Sequence, residues 1–317
     1  MNRTAAQPEP LPPQKFRDPD VTASGARRAH VNLKSLDTLW INTGTLCNLT
    51  CRHCYIESSP SNDRLAYISA QECAAYLDEI QRDGWGTTLI GFTGGEPFMN
   101  PDLTAMLEDV LARGFDALVL TNAMKPMMKQ RGALLALHGR FGARLALRVS
   151  IDHYTRALHE LERGRRSWNP MLEGVRWLLD NGIALTAAGR TFSSQTEHDV
   201  RQGFARLFRE QGIPLDAYNP ADLVLFPEMD ENADVPEITD ACWGLLHKSP
   251  DDVMCAASRM VVKRKGAAHP LVVSCTLLAY DPRFELGRTL ADADTGVSLN
   301  HPHCARFCVL GGASCSG

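Results

Sequence analysis

Three cysteines crowd the stretch TLCNLTCRHCY, residues 45–55. Cys47, Cys51 and Cys54 follow a C-x3-C-x2-C spacing. A structural zinc site is closed by four protein ligands, and this loop supplies three thiolates. His53 sits between ligands at an awkward spacing, and the next cysteine, Cys73, falls inside a helical pattern, where it reads as a small buried hydrophobe. Three thiolates suit a cubane iron–sulfur cluster instead: three irons take Cys, and the fourth stays open for a small molecule. Five more cysteines gather late, at Cys255, Cys275, Cys304, Cys308 and Cys315, and none lies between Cys73 and Cys242. Two thiol groups around a cysteine-free middle point to two metal sites on two structural units.

The elements that must position these groups alternate. Residues 37–44, 87–95, 116–123, 143–152, 183–192 and 222–228 read as strands. Helical patterns follow the first five, over 69–84, 101–114, 126–139, 169–181 and 196–210. Ser69 is the expected N-cap of the first helix, with Glu72 three residues on and Gly84 at its end. Six strands with intervening helices predict an α/β fold with a parallel sheet buried on both faces. An open (β/α)6 partial barrel is the first choice and a doubly wound sheet the second. In either fold the ligands bind at the C-terminal strand ends, where the Cys47–Cys54 loop also lies.

The chain divides into a Pro-rich arm over 1–35, expected to be disordered, a barrel over 36–230, and a linker plus small Cys-rich unit over 231–317. Residues 258–275 read as a hairpin. The small unit is expected to bury little apolar surface and to depend on a metal for stability. With 317 residues, 22% charged and a net charge of −4, nothing favours nucleic acid or an anionic membrane surface as a partner. No apolar run approaches a membrane span, and the N-terminus lacks the apolar core of a secretory signal. The expected location is the cytoplasm, where ten cysteines serve as metal ligands or buried thiols rather than disulfides.

The sequence resembles the radical S-adenosylmethionine (SAM) enzymes. C-x3-C-x2-C directly after the first barrel strand is their signature. Gly94-Gly95-Glu96-Pro97 ends the second strand, Thr121-Asn122-Ala123 the third and Ser150-Ile151-Asp152 the fourth, each similar to a motif of that family. The resemblance implies that Cys47, Cys51 and Cys54 bind three irons of a [4Fe–4S] cluster and that SAM chelates the fourth. Gly94 and Gly95, with Glu96, would then meet the methionine amine. Asn122 and Ser150 would contact the ribose and carboxylate, Arg190 the carboxylate, and Tyr55 the adenine. The reaction implied is reductive cleavage of SAM to a 5'-deoxyadenosyl radical, which abstracts hydrogen from a small-molecule or peptide substrate. A cellular one-electron reductant of flavodoxin or ferredoxin type is the implied partner.

The late cysteines resemble a SPASM or twitch extension, which implies a second, auxiliary [4Fe–4S] cluster. Cys255, Cys275, Cys304 and Cys308 are the first ligand set; Cys315 replaces one of them or is spare. A four-Cys zinc site has the same inventory, and His301 and His303 are weighed as ligands against being exposed loop histidines. Fewer than forty residues precede the first strand, so a peptide substrate is expected to need a separate docking partner. His153, Tyr154, Glu160, Arg163, Arg165, Glu228 and Asp230 lie near the expected mouth as candidate substrate contacts, although HELERGRR (159–166) reads first as a solvated helix face. The rival from another class is a non-catalytic metal-binding scaffold on a degenerate barrel.

Overall fold

The computed structural model describes residues 9–192, 195–227 and 229–311; Cys315 and Glu228 lie outside them. Six parallel strands form in chain order: β1 Thr38–Asn42, β2 Leu89–Thr93, β3 Asp116–Thr121, β4 Leu145–Asp152, β5 Ala184–Arg190 and β6 Leu223–Phe226. Each pairs with its sequence neighbour. This is the expected open (β/α)6 partial barrel. The intervening helices are α1 Ala70–Asp83, α2 Leu103–Ala112, α3 Lys125–Lys129, α4 Arg131–Phe141, α5 Arg156–Arg163, α6 Trp168–Asp180 and α7 Glu197–Gln211. The single helix expected over 126–139 is two, broken at Gln130 (φ −95°, ψ 5°).

Strand side chains alternate between faces, so the sheet has two cores. Leu39 and Ile41 of β1, Ala117 and Val119 of β3, and Leu145, Leu147 and Val149 of β4 face the helices. Trp40 and Leu118, with Leu120 and Ala146, face inward. A Cβ on Gly91 would sit 2.4 Å from the Trp40 ring, so glycine in β2 makes room for that indole.

The inner face is filled by the chain termini, and this revises two expectations. The C-terminal segment is not a unit short of core. Strand β7 (Ser258–Val262) pairs parallel to β1, and β8 (Leu271–Val273) and β9 (Glu285–Gly287) extend the sheet antiparallel to nine strands, ordered β9-β8-β7-β1-β2-β3-β4-β5-β6. Val253, Met254, Met260, Phe284, Leu299 and Phe307 are buried in one core with Trp40. The arm, where described, is not loose either. Phe16, Ala29 and Val31 are buried in that core, and Arg28 is fully buried against Glu237 at 2.5 Å. Its backbone pairs with the acidic stretch expected to be a linker, through Leu11 N to Asn232 O (2.6 Å) and Ala29 N to Ile238 O (2.9 Å). Two segments that look polar and irregular apart thus satisfy each other's backbone groups.

Helix α1 has the predicted caps. Ser69 Oγ accepts from Glu72 N, and Glu72 Oε2 accepts from Ser69 N, while Gly84 closes the end in the left-handed region. Glu72 also pairs with Lys263 at 2.6 Å, tying the helix start to the C-terminal hairpin. Ser69→Ala is expected to cost about 1 kcal/mol and lower the melting temperature by about 2–4 °C. A melting temperature equal to the parent's would show that the cap contributes nothing here.

Candidate active site

The cysteine loop leaves β1 at its C-terminal end and is held at several points. Thr43 N donates to Thr93 O of β2, Cys47 N to Ser59 O, and Tyr280 OH to Ile56 O. From the other side of the mouth, Glu162 on α5 accepts Arg52 N at its carbonyl (2.8 Å) and His53 Nδ1 at its carboxylate. Two sulfurs accept backbone donors: Cys47 Sγ from Leu49 N at 3.4 Å and Cys54 Sγ from Ser58 N at 3.3 Å.

The three thiols line one cavity of about 160 Å³ at the C-terminal strand ends. Tyr55, Gly94, Gly95, Asn122, Ser150 and Arg190 line it too. The glycine pair also serves the loop itself. A Cβ on Gly95 would lie 2.2 Å from Leu46 O, and one on Gly94, at φ +136°, 2.5 Å from Gly44 O. The space a side chain needs is occupied by the cysteine loop's own backbone, so the two turns nest directly.

Glu96 is the site candidate that the structure keeps out of the cavity lining. It is buried beneath the strand ends, where Oε1 accepts from Thr121 Oγ1 (2.8 Å) and Oε2 from Asn122 N (2.9 Å). Burial pushes its carboxyl up to about 7. It braces Asn122, whose side chain donates to Asn48 Oδ1 of the cysteine loop.

Asp152 is a site residue that sequence reasoning left without a role, and Arg163, expected as a candidate substrate contact, is its partner. Asp152 ends β4 at φ +57° and accepts from Arg163 Nε at 2.7 Å. Arg190 Nε forms an ion pair with the same carboxylate at 3.5 Å but makes no hydrogen bond among the described residues. The Arg190 guanidinium stacks 4.8 Å from the Tyr55 ring centroid. Burial pushes the Asp152 carboxyl up, but the two guanidiniums outweigh it and hold it below the usual carboxylate range. The solvated-face reading of HELERGRR fails at three positions: His159 and Glu162 are buried and Arg163 is 12% exposed at its side chain. Helix α5 turns Glu162 onto the cysteine loop and Arg163 onto the cavity, while His159 packs back on Ile151 O and Trp168. His153 is also buried, bonded to Gln195 at 2.9 Å.

Cys255, Cys275, Cys304 and Cys308 line a second cavity with His303. His301 and His303 are buried, not exposed, and burial lowers their pKa values to about 3 and about 4. His303 Nδ1 has no partner among the described residues. The two cavities stand back to back: Leu277 lines both, Cys275 faces the second and Thr276 the first. Burial pushes Cys47 and Cys255 up to about 12. Thiols so placed become thiolates when a cation replaces the proton, so the donor chemistry suits iron–sulfur groups, although among the described residues no three Cys, His, Asp or Glu side chains are already gathered closely enough to hold a metal ion. Among the described residues no helix is long and apolar enough to cross a membrane.

Comparison with known proteins agrees with this geometry. The antilisterial bacteriocin subtilosin biosynthesis protein AlbA of Bacillus subtilis (strain 168) is 30% identical over 179 residues, 56% of this chain and 37% of that protein. Fe-coproporphyrin III synthase of Methanosarcina barkeri is 33% identical over 174 residues, 53% of this chain and 40% of that one. The chain thus spans well under half the length of either relative. Native anSMEcpe with bound AdoMet superposes with a TM-score of 0.60 at 15% identity, covering 83% of this chain and 81% of that one. Streptococcus suis SuiB bound to precursor peptide SuiA superposes with a TM-score of 0.58 at 12% identity, covering 81% and 63%. Both likenesses show the fold. Residues 41–202 match the family model of the radical SAM superfamily, and the chain belongs to that superfamily.

Proposed function

We propose that this chain is a radical SAM enzyme that modifies a peptide and carries two [4Fe–4S] clusters. The observation that carries the reading is the single cavity shared by Cys47, Cys51 and Cys54 with Gly94, Gly95, Asn122, Ser150 and Arg190. When bound, the cluster and SAM supply a 5'-deoxyadenosyl radical that takes hydrogen from the substrate. The chain's own groups hold and orient. The Leu49 and Ser58 amides stabilise charge on two of the sulfurs. The Gly94–Gly95 backbone would hold the methionine amine, and Asn122 and Ser150 the ribose and carboxylate. Arg190 would offer the carboxylate its Nε–H, which makes no hydrogen bond among the described residues, and Tyr55, stacked with the Arg190 guanidinium, would meet the adenine. Phe226 and Leu277 in the cavity wall exclude water. Cys255, Cys275, Cys304 and Cys308 hold the auxiliary cluster, with Cys315 as the spare thiol. A flavodoxin- or ferredoxin-type protein supplies the electron. The peptide reading is supported by the names of AlbA and of the SuiA-bound structure.

The test is iron, zinc and sulfide content of protein reconstituted without oxygen, beside 5'-deoxyadenosine release under dithionite. About eight irons with release is expected, from two four-iron clusters; about four irons and one zinc would make the second site structural. Cys275→Ala is expected to lose about four irons and keep release. Unchanged iron in that variant would overturn the auxiliary ligand set, and no release by the parent would favour the scaffold reading.

A further inference from the structure

A surface groove opens beside the cysteine loop at the strand ends. Leu49, Met99, Met124, Lys125, Pro126 and Lys129 line it. Each of these segments leaves a barrel strand at its C-terminal end, after β1, β2 and β3, so the groove belongs to the active face without being the cavity. Lys125 and Lys129 stand one turn apart on α3, both exposed, and neither has an ion-pair partner among the described residues. No carboxylate lines the groove, although the chain as a whole carries a net charge of −4. Leu49 is also the residue whose amide donates to Cys47 Sγ at 3.4 Å, so the groove wall touches a proposed cluster ligand directly.

We propose that this groove is the docking surface of an acidic one-electron carrier protein. The inference rests on the function proposed above and places the electron's entry on the Leu49 side of the loop. Two lysines without ion-pair partners, beside two methionines in the same groove, suit a brief encounter. The charges steer an acidic face, and the flexible thioethers adapt to it without a large interface. In each event the reduced carrier loses one electron and the site gains one; no bond forms or breaks. A carrier docked here leaves the cavity mouth free for substrate.

The holoenzyme is reduced either by photoreduced flavodoxin or by dithionite, and 5'-deoxyadenosine is followed. Lys125→Glu/Lys129→Glu is expected to slow the flavodoxin-driven reaction about tenfold at low salt and to flatten its salt dependence. The dithionite-driven rate stays at the parent's, and Lys125→Arg/Lys129→Arg restores the flavodoxin rate. A flavodoxin rate and salt dependence equal to the parent's would overturn the docking site. A loss under dithionite as well would also overturn it, since the lysines would then serve the fold or the substrate. If the parent makes no 5'-deoxyadenosine even with dithionite, it is the proposed function that fails. Docking is then decided by titrating oxidised flavodoxin: weaker binding to the Glu variant supports it, and equal binding overturns it.

Discussion

Cys51→Ala is expected to remove about four irons per chain and to abolish 5'-deoxyadenosine release, while the folded protein and the auxiliary iron remain. The argument is one of ligand count. Three thiols line the main cavity, and a cubane held by two of them loses its anchoring corner. Burial raises the Cys51 thiol's pKa and nearby Arg163 offsets this only in part, so the sulfur is stable as a thiolate only with a cation beside it. Without metal it is a small apolar group, and exchange for alanine costs the apo fold about 1 kcal/mol or less. The second set of thiols lines a different cavity and has no reason to respond. The check is iron and sulfide content with the electron paramagnetic resonance of the reduced protein, beside its melting temperature. Parent-like iron and release would remove Cys51 from the ligand set. Loss of all iron together with the fold would mean that the loop is structural.

The barrel was legible because each strand announces itself twice, by an apolar run and by the turn residues that end it. The caps of α1 were legible to the residue, since Ser69, Glu72 and Gly84 act through local backbone geometry. Likewise, the strand-end motifs foretold which loops meet at the cavity, because parallel strands in sequence order bring their C-terminal ends to one face. What pairs across long separations could not be read. Phe16, Arg28 and Ala29 sit in a stretch that looks like a polar arm, and only contact with residues 232–239 shows why it is ordered. Glu162 looks like a solvated face because its partner His53 lies 109 residues away, whereas Arg163 pairs with Asp152 only 11 residues back, a contact made by the turn from β4 into α5 rather than by any pattern within the helix. Glu96 shows a subtler limit: its place beside the glycines was clear, but not that Thr121 and the Asn122 amide occupy its carboxylate.

Asp152→Asn is expected to destabilise the protein by about 3–5 kcal/mol at neutral pH. The asparagine oxygen still accepts one hydrogen bond and the shape hardly changes, so the variant isolates charge. Asp152 is 5% exposed at its side chain and stands between Arg163 and Arg190, themselves 12% and 11% exposed. Guanidiniums do not shed their protons at working pH, so the substitution leaves two buried cations facing each other with no anion between them. The pH dependence follows from the sign of the shift. A carboxyl held below its ordinary value contributes its stability above about pH 3.9, the unfolded value, and loses it as pH falls through the lower folded value. The gap between parent and variant is therefore full at pH 7 and closes as pH falls below about 3.9 through the lower folded value. Helix α5 carries Arg163 beside Glu162, which holds Arg52 and His53 of the cysteine loop, so loosening the first pair frees the second. Iron retention under a mild chelator is expected to fall together with the urea midpoint, at an unchanged slope. A variant as stable as the parent at pH 7, with parent-like iron retention, would show that Asp152 does not hold the two guanidiniums in place.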